Sequence, residues 1–251
     1  MAVSYKAHTT LSDLKSVALG SSDILDDTNN DTAIEALIDD VSEYVDDFLG
    51  YQVIVRKYEQ RLLVEQWRYD RVIDVNFIDA DYYPIVEIAN TKYYEPGNTE
   101  NDGFIVAPTD IATWTVFAGG IIRPGNNSGK IIDNDFLEPE YAWTRFEVAD
   151  PVYIEDYVIE YYAGYRRSDQ TVIGDFTSDL LNISIVPHFT IPRQIKRATQ
   201  RICLIAIAEV SQGLAQRQIQ NLGDRSITIE SVDPNAVQAE LNRIKHLKRY
   251  L

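Results

Sequence analysis

The spacing of apolar and polar positions changes several times along this chain, and each change predicts an element. Residues 10–20 predict a short helix, with Thr10 and Asp13 matching a capping box and Gly20 supplying the stop. An Asp/Asn/Ser-rich turn follows, SSDILDDTNND. From Thr32 to Leu49, the residues Ile34, Leu37, Ile38, Val41, Val45 and Phe48 recur at helical spacing. Thr32 and Glu35 form the expected capping box of this helix, and Gly50 its end. Its other face carries Asp39, Asp40, Glu43, Asp46 and Asp47.

From Tyr51 to about Tyr165 the character changes. Short β-prone runs appear: QRLLV, VIDVNFI, PIVEIAN, GFIVA, TWTVF, GKII and VIEYY. Turn signals separate them at Pro96-Gly97, Asn101-Asp102-Gly103, Gly119-Gly120 and Pro124-Gly125-Asn126-Asn127. Trp67, Trp114, Trp143 and most of the 16 Tyr lie here. The alternation is too irregular to order the strands. The last run is the clearest, because Tyr157, Ile159 and Tyr161 alternate with Val158, Glu160 and Tyr162 before Gly164 lets the chain turn.

Residues 166–190 predict an extended loop, with one strand expected at Leu181–Val186. Pro192 then opens a long helix reaching Gln212 or beyond, on which Ile195, Ala198, Ile202 and Ile205 share a face. Asn221-Leu222-Gly223-Asp224 makes a turn, and SITIESV reads as a short strand or arm. Asp233 caps a last helix with Pro234 at its first position. Val237, Leu241, Ile244, Leu247 and Leu251 form its apolar stripe, and Arg243, Lys245, Lys248 and Arg249 gather at its end, where cations favour the macrodipole. The fold class expected is α+β. A helical bundle core would be built from residues 1–55 and the long helix at 191–222. A β-rich region at 56–165, the loop at 166–190 and a C-terminal strand–helix arm at 223–251 complete the division.

With 251 residues the chain can hold one large domain or two small ones. No apolar run approaches the ~18 residues of a membrane span, and the N-terminus lacks the apolar region of a secretory signal. Without such a signal, the patterns Asn126-Asn127-Ser128 and Asn182-Ile183-Ser184 read as chance matches to a glycosylation site. The single cysteine, Cys203, sits inside the apolar helix as a small core residue and fits a reducing cytoplasm. The net charge of −16 is unevenly spread. Residues 186–251 hold ten Lys/Arg against five Asp/Glu, and residues 1–185 hold thirteen against thirty-four. The acidic bulk repels DNA phosphates and disfavours a DNA-gripping role. Two faces of opposite sign suit head-to-tail contacts or docking on an acidic partner.

Candidate chemistry changes this picture little. Asp27-x-Asn29-x-Asp31 opens like a calcium loop, but Thr32 replaces the required Gly and Ile38 the required Glu. A solvated turn is the better reading, with weak divalent binding left open. The stretch from Gly125 to Lys130 is one residue short of a phosphate loop, and Ile131 stands where Ser or Thr would hold magnesium. His8, His188 and His246 lie far apart, against a zinc site. Carboxylate pairs such as Asp39/Glu43, Glu43/Asp46 and Glu155/Asp156 carry little weight among 39 acids. The aromatic residues could form a carbohydrate or base-stacking platform, but strand and interface packing is their commoner use.

Taken in order, these elements resemble the head-to-tail connector family of tailed bacteriophages, the adaptor or head-completion proteins. The resemblance is carried by TTLSDLKSVALG, by DDTNNDTAIEALIDDVSEYVDDFLGYQV, by the β-rich middle with PIVEI, by VIEYYAGY and by IPRQIKRATQRICLIAIAEV. It covers nearly the whole chain and rests on order and spacing. It implies a structural protein of the virion neck, assembled in the host cytoplasm, with no catalytic activity, no cofactor and no metal. Family members form a ring, usually of twelve copies, beneath the portal. The ring lengthens the DNA channel and offers a platform for the next neck or tail protein, and packaged DNA passes through without sequence-specific binding. The C-terminal segment of such adaptors commonly docks on the portal, which here points to Arg243, Lys245, Lys248, Arg249 and Leu251. The acids Asp39, Asp40, Glu43, Asp46 and Asp47 are the expected channel-facing group. Residues 166–190, longer than the resemblance leads one to expect, are where a contact specific to this virion is anticipated. Two other readings stand beside this one: a stopper or tail-completion protein, and an acidic carbohydrate-active enzyme.

Overall fold

The computed structural model describes residues 6–18, 23–71, 75–94, 104–106, 115–117, 120–122, 145–148, 157–178, 181–217 and 233–248. The chain is α+β and divides into two units. Met1–Ile54 and Thr190–Leu251 form one, and Val55–Phe189 the other. Residues 166–189 thus belong with the β-rich part, and the C-terminal helix belongs with the N-terminal helices.

The helical unit contains α1 (Leu11–Val17), α2 (Asp23–Asp26), α3 (Asp31–Leu49), α4 (Arg193–Arg217) and α5 (Pro234–Ile244). Thr10 caps α1 by accepting the Asp13 N–H at 3.1 Å. The helix ends at Ala18 rather than Gly20, whose position lies outside the described residues. Burial pushes the Asp13 carboxyl up, but Lys196 at 2.8 Å and the bonds from Thr10 outweigh it, and the group stays below the usual range. The start of α3 differs from expectation. Asp27 caps a single tight turn at Thr28–Asn30 by taking the Asn29 N–H at 2.9 Å, and this turn runs directly into α3, whose cap position is Asn30 rather than Thr32 and makes no side-chain cap bond. Thr32 is left inside the first turn. Gly50 ends α3 at φ 79°, the left-handed conformation that Gly adopts without a Cβ clash.

Helix α3 buries Ile34, Leu37, Ile38, Val41, Val45 and Leu49. Helix α4 buries Ile195, Ala198, Ile202, Cys203 and Ala206, and α5 buries Val237, Leu241 and Ile244. Among these helices, α3 packs on α4, α4 on α5, and α1 on both α3 and α4. Asp233 caps α5 through the Asn235 N–H at 3.0 Å, with Pro234 in the first turn. Helix α5 runs antiparallel to α4, with the Asp233 N–H donating to Glu209 at 2.9 Å and Arg201 reaching Glu240 at 3.2 Å.

In chain order the strands are β1 (Arg56–Leu62), β2 (Arg68–Asp70), β3 (Val75–Asp79), β4 (Ile85–Tyr94), β5 (Phe104–Val106), β6 (Thr115–Phe117), β7 (Gly120–Ile122), β8 (Arg145–Val148), β9 (Tyr157–Ala163), β10 (Thr177–Ser178) and β11 (Leu181–Asn182). One sheet has the order β1-β9-β4-β5 and another β2-β3-β8-β7-β6. Pairings are antiparallel except β7 with β8. Strand β7 begins at Gly120, which the sequence marks as a breaker. The expected GKII strand, the phosphate-loop look-alike and Asn126-Asn127-Ser128 lie outside the described residues.

The period-2 pattern of β9 fixes the core of the β unit. Tyr157, Ile159, Tyr161 and Ala163 face one way and meet Leu62 of β1, Ile85 of β4, Ile78 of β3 and Phe146 of β8. Phe146 meets the Tyr161 ring edge-on at 5.2 Å, and Tyr58 stacks on Tyr82 at 3.9 Å. The Tyr161 hydroxyl accepts the Tyr82 N–H at 3.1 Å and donates to Gln60 Oε1 at 3.2 Å. Gln60 also accepts the Asp81 N–H at 2.9 Å and donates to the Asp79 carbonyl at 3.0 Å. These aromatic rings are therefore packed in the core, the commoner use expected of them, and do not form an exposed stacking platform.

On the opposite side of β9, Glu160 lies 2.6 Å from Lys57 on β1 and 3.7 Å from Lys92 on β4. Lys57 holds the Glu160 carboxyl below its usual range, and Glu160 raises Lys57. A depressed acid stabilises the fold above its unfolded pKa and loses that contribution as pH falls through its folded value. A raised lysine does so below its unfolded pKa and loses it as pH rises. Glu160→Gln is therefore expected to lower stability by about 0.5 kcal/mol across neutral pH. The difference from the parent chain should vanish at both extremes, as read by urea denaturation at stepped pH.

Residues 166–190 are an internally braced loop. Arg166 donates to the Pro187 carbonyl at 2.9 Å and the Gln170 carbonyl at 2.8 Å. Asp175 accepts the N–H groups of Thr171 and Val172 at 2.7 and 3.0 Å. The Ser184 N–H is held by Glu87 of β4 at 2.7 Å. In place of a six-residue strand at 181–186, only Leu181–Asn182 is strand, and it pairs antiparallel with β10.

Candidate assembly surface

Helix α3 presents its acids unequally. Asp40, Glu43 and Asp47 are exposed and Asp39 is half-buried. Glu43 has Lys6 at 3.6 Å, with both side chains more than half exposed, so this pair adds little. Asp46 departs from the expected set, because only 4% of it is exposed. Its carboxylate Oδ1 lies 2.9 Å from His8 Nε2 and accepts the Val53 N–H at 3.0 Å. A carboxylate only accepts, so Nε2 is the donor. The other ring nitrogen, Nδ1, lies 3.0 Å from Thr199 Oγ1 on α4. The His8 N–H is taken by Ser42 Oγ at 2.9 Å, and Ser42 donates to the Ile38 carbonyl at 2.7 Å. Next to it, Gln200 donates to Thr9 Oγ1 at 3.0 Å.

This cluster holds a Ser, a His and an Asp, yet it is not arranged for nucleophilic catalysis. Ser42 touches the backbone of His8 rather than its ring, and the imidazole is fully buried. It is a clamp that fastens residues 8 and 9 between α3 and α4. Sequence reasoning missed it by treating His8 as an isolated histidine and Asp46 as a surface acid. One signal was present: Ser42 and Asp46 are four residues apart along the margin of the apolar stripe, a polar row where the face turns inward.

The basic end of α5 is partly engaged within the unit. Arg243 lies 2.8 Å from Glu240, which Arg201 also reaches. Lys248 Nζ stands 5.1 Å from the Phe48 ring centroid, a cation over an aromatic face at the end of α3. Lys245 is exposed, and Arg249 and Leu251 lie outside the described residues. The apolar stripe of α5 is spent on the core, since Val237, Leu241 and Ile244 are each at most 4% exposed. It is not a free docking face. SITIESV also falls outside the described residues.

A second basic feature lies on α4. Arg193, Arg197 and Arg201 follow one another at four-residue spacing and are all exposed. They lie opposite the side that buries Ile195, Thr199, Ile202 and Ala206. Arg201 carries the contact to Glu240, and among the described residues Arg193 and Arg197 make no ion pair.

Other candidate groups resolve into structural roles. Burial pushes the Cys203 thiol well up, which keeps it an unreactive core residue. Asp27 is occupied in capping, and among the described residues no group of three or more His, Cys, Asp and Glu is placed to hold a metal ion. His188 is exposed and lies edge-on to Phe189. Burial raises the Asp81 carboxyl, whose backbone N–H donates to Gln60. Glu155 and Asp156 lie outside the described residues. No helix among the described residues is long and apolar enough to cross a membrane. No protein-family model matches this sequence, and no curated protein matches it.

Proposed function

We propose that this chain is a head-to-tail adaptor of a tailed bacteriophage. It would act as a ring, usually of twelve copies in the family it resembles, bound beneath the portal and carrying the next neck or tail protein. The observation that carries this reading is the division of the chain. The two ends, Met1–Ile54 and Thr190–Leu251, make one helical unit, and the β unit Val55–Phe189 is inserted between them. That supports the reading of a helical bundle core with a β-rich insertion, in the element order of the resemblance.

The charge distribution supports it too. A ring built head to tail needs two different complementary faces, and the helical unit carries an acidic face on α3 and basic faces on α4 and α5. A DNA channel needs a wall that does not bind phosphate, and the excess of acids over residues 1–185 suits that. Portal docking falls to the cations at the end of α5, namely Lys245, Lys248 and Arg249 with Arg243 beside them, and to Leu251.

The test is negative-stain imaging of the purified chain mixed with its cognate portal. The expected result is rings, or portal particles with added density on the side facing the tail. A chain that stays monomeric and never associates with the portal would end the reading. Binding only to tail-side components would favour a stopper instead.

A further inference from the structure

The geometry points to a specific seam between neighbouring copies: the arginine row of α4 on one copy seats against the acidic row of α3 on the next. This inference rests on the ring reading above and assigns its interface. Asp39, Glu43 and Asp47 occupy positions i, i+4 and i+8 of α3, as Arg193, Arg197 and Arg201 do on α4. At a rise of ~1.5 Å per residue, each row places a charge about every 6 Å. Three acids and three arginines at one repeat can pair along two helices laid side by side, in either direction.

Each row points away from its own core. The acids lie opposite Ile34, Val41 and Val45 on α3, and the arginines lie opposite Thr199, Ile202 and Ala206 on α4. Because α3 and α4 pack on each other through those buried sides, the two rows leave the helical unit in different directions. A contact between them is therefore made from copy to copy and repeats head to tail, as ring closure requires. Like charges at four-residue spacing slightly destabilise an isolated helix. An opposing row relieves both. Arginine suits the role, since its planar guanidinium pairs carboxylates in two-point geometry. Glu240, only 12% exposed in its side chain, braces Arg201 and Arg243 together and holds the lower part of the row in place.

A channel wall needs only the sign of the α3 acids, whereas a seam needs their spacing, and the spacing is matched. The experiment uses two full-length variants, R193E/R197E and D39K/E43K/D47K. Each is mixed with the cognate portal at low salt, and assemblies are counted by mass photometry and negative-stain imaging. Circular dichroism checks that both are folded. The parent chain is expected to assemble, and assembly should weaken with added salt. Each variant alone should need about 100-fold more protein, because like charges then face each other across the seam. A one-to-one mixture of the two should assemble as the parent does, since each reversed face then meets its complement. Three results would overturn the seam: parent-like assembly by both variants, failure of the mixture to recover, or normal rings from R193E/R197E with loss of portal capture only. If the parent itself forms no ring with the portal, it is the adaptor reading that fails.

Discussion

Asp46→Ala should lower the stability of the helical unit by about 3 kcal/mol, far more than any neighbouring acid. The carboxylate accepts from both His8 Nε2 and the Val53 N–H. Truncation leaves two buried donors without an acceptor, each costing about 1–3 kcal/mol. Asp47→Ala, one residue along and exposed, should change stability by about 0.5 kcal/mol or less. The pair is informative because the sequence presents both as members of one acidic face. Trp67, Trp114 and Trp143 all fall within Val55–Phe189, so tryptophan fluorescence reports the β unit, while far-ultraviolet dichroism is dominated by the helices. In urea, Asp46→Ala should move the dichroism midpoint and leave the fluorescence midpoint in place. Equal, small effects from the two substitutions would show that the clamp does not hold the unit together.

Tyr161→Ala is the second large effect, about 4 kcal/mol, and it should appear in fluorescence. The ring is fully buried between Phe146 and Tyr58, so its removal forfeits burial and leaves a cavity. Tyr161→Phe isolates the hydroxyl. It should cost about 1–2 kcal/mol, because Gln60 and the Tyr82 N–H each lose a partner. The two variants differ in pH response as well. Burial raises the Tyr161 hydroxyl above its ordinary value. Its contribution is then complete below the unfolded tyrosine pKa, about 10, and falls as pH rises beyond it. The Phe variant should show a flatter alkaline limb than the parent, and an unchanged limb would contradict the burial of this hydroxyl.

The parts of the fold legible in the sequence are those governed by near neighbours. Thr10 with Asp13, Gly50, Pro192 and Asp233 with Pro234 mark helix ends through contacts a few residues long, and the structure places helix starts or stops at or beside each. Periodicity places Ile34, Leu37, Ile38, Val41 and Val45 of α3 in the core as observed, with Leu49 buried in place of the expected Phe48. The failures come from distance. His8 meets Asp46 across 38 positions and Thr199 across 191, so no local pattern distinguishes Asp46 from Asp47. Strand order is equally remote, since β9 pairs with β1 and β4, both from the start of the unit. The early start of α3 comes from the tight turn that Asp27 caps at Thr28–Asn30, which leads straight into the helix at Asp31, ahead of Thr32. For the candidate surface, the acids and the basic tail were visible as composition. The arginine row is legible too, because the periodicity that puts Ile195, Ala198 and Ile202 on one face of this helix puts Arg193, Arg197 and Arg201 on the other.

The divided helical unit has a consequence for synthesis. The ribosome releases Val55–Phe189 as one continuous stretch, which can settle its own sheets while the remainder is still being made. The helical unit cannot close then, because Thr199, the Lys196 that pairs with Asp13, and the whole of α5 emerge after it. His8 waits through 191 positions for its α4 partner. A chain cut short before about residue 200 would carry a finished β unit and an open N-terminal half, with neither row of charges set in its place. Only a chain that has reached α4 and α5 can close the helical unit and hold the α3 and α4 faces together.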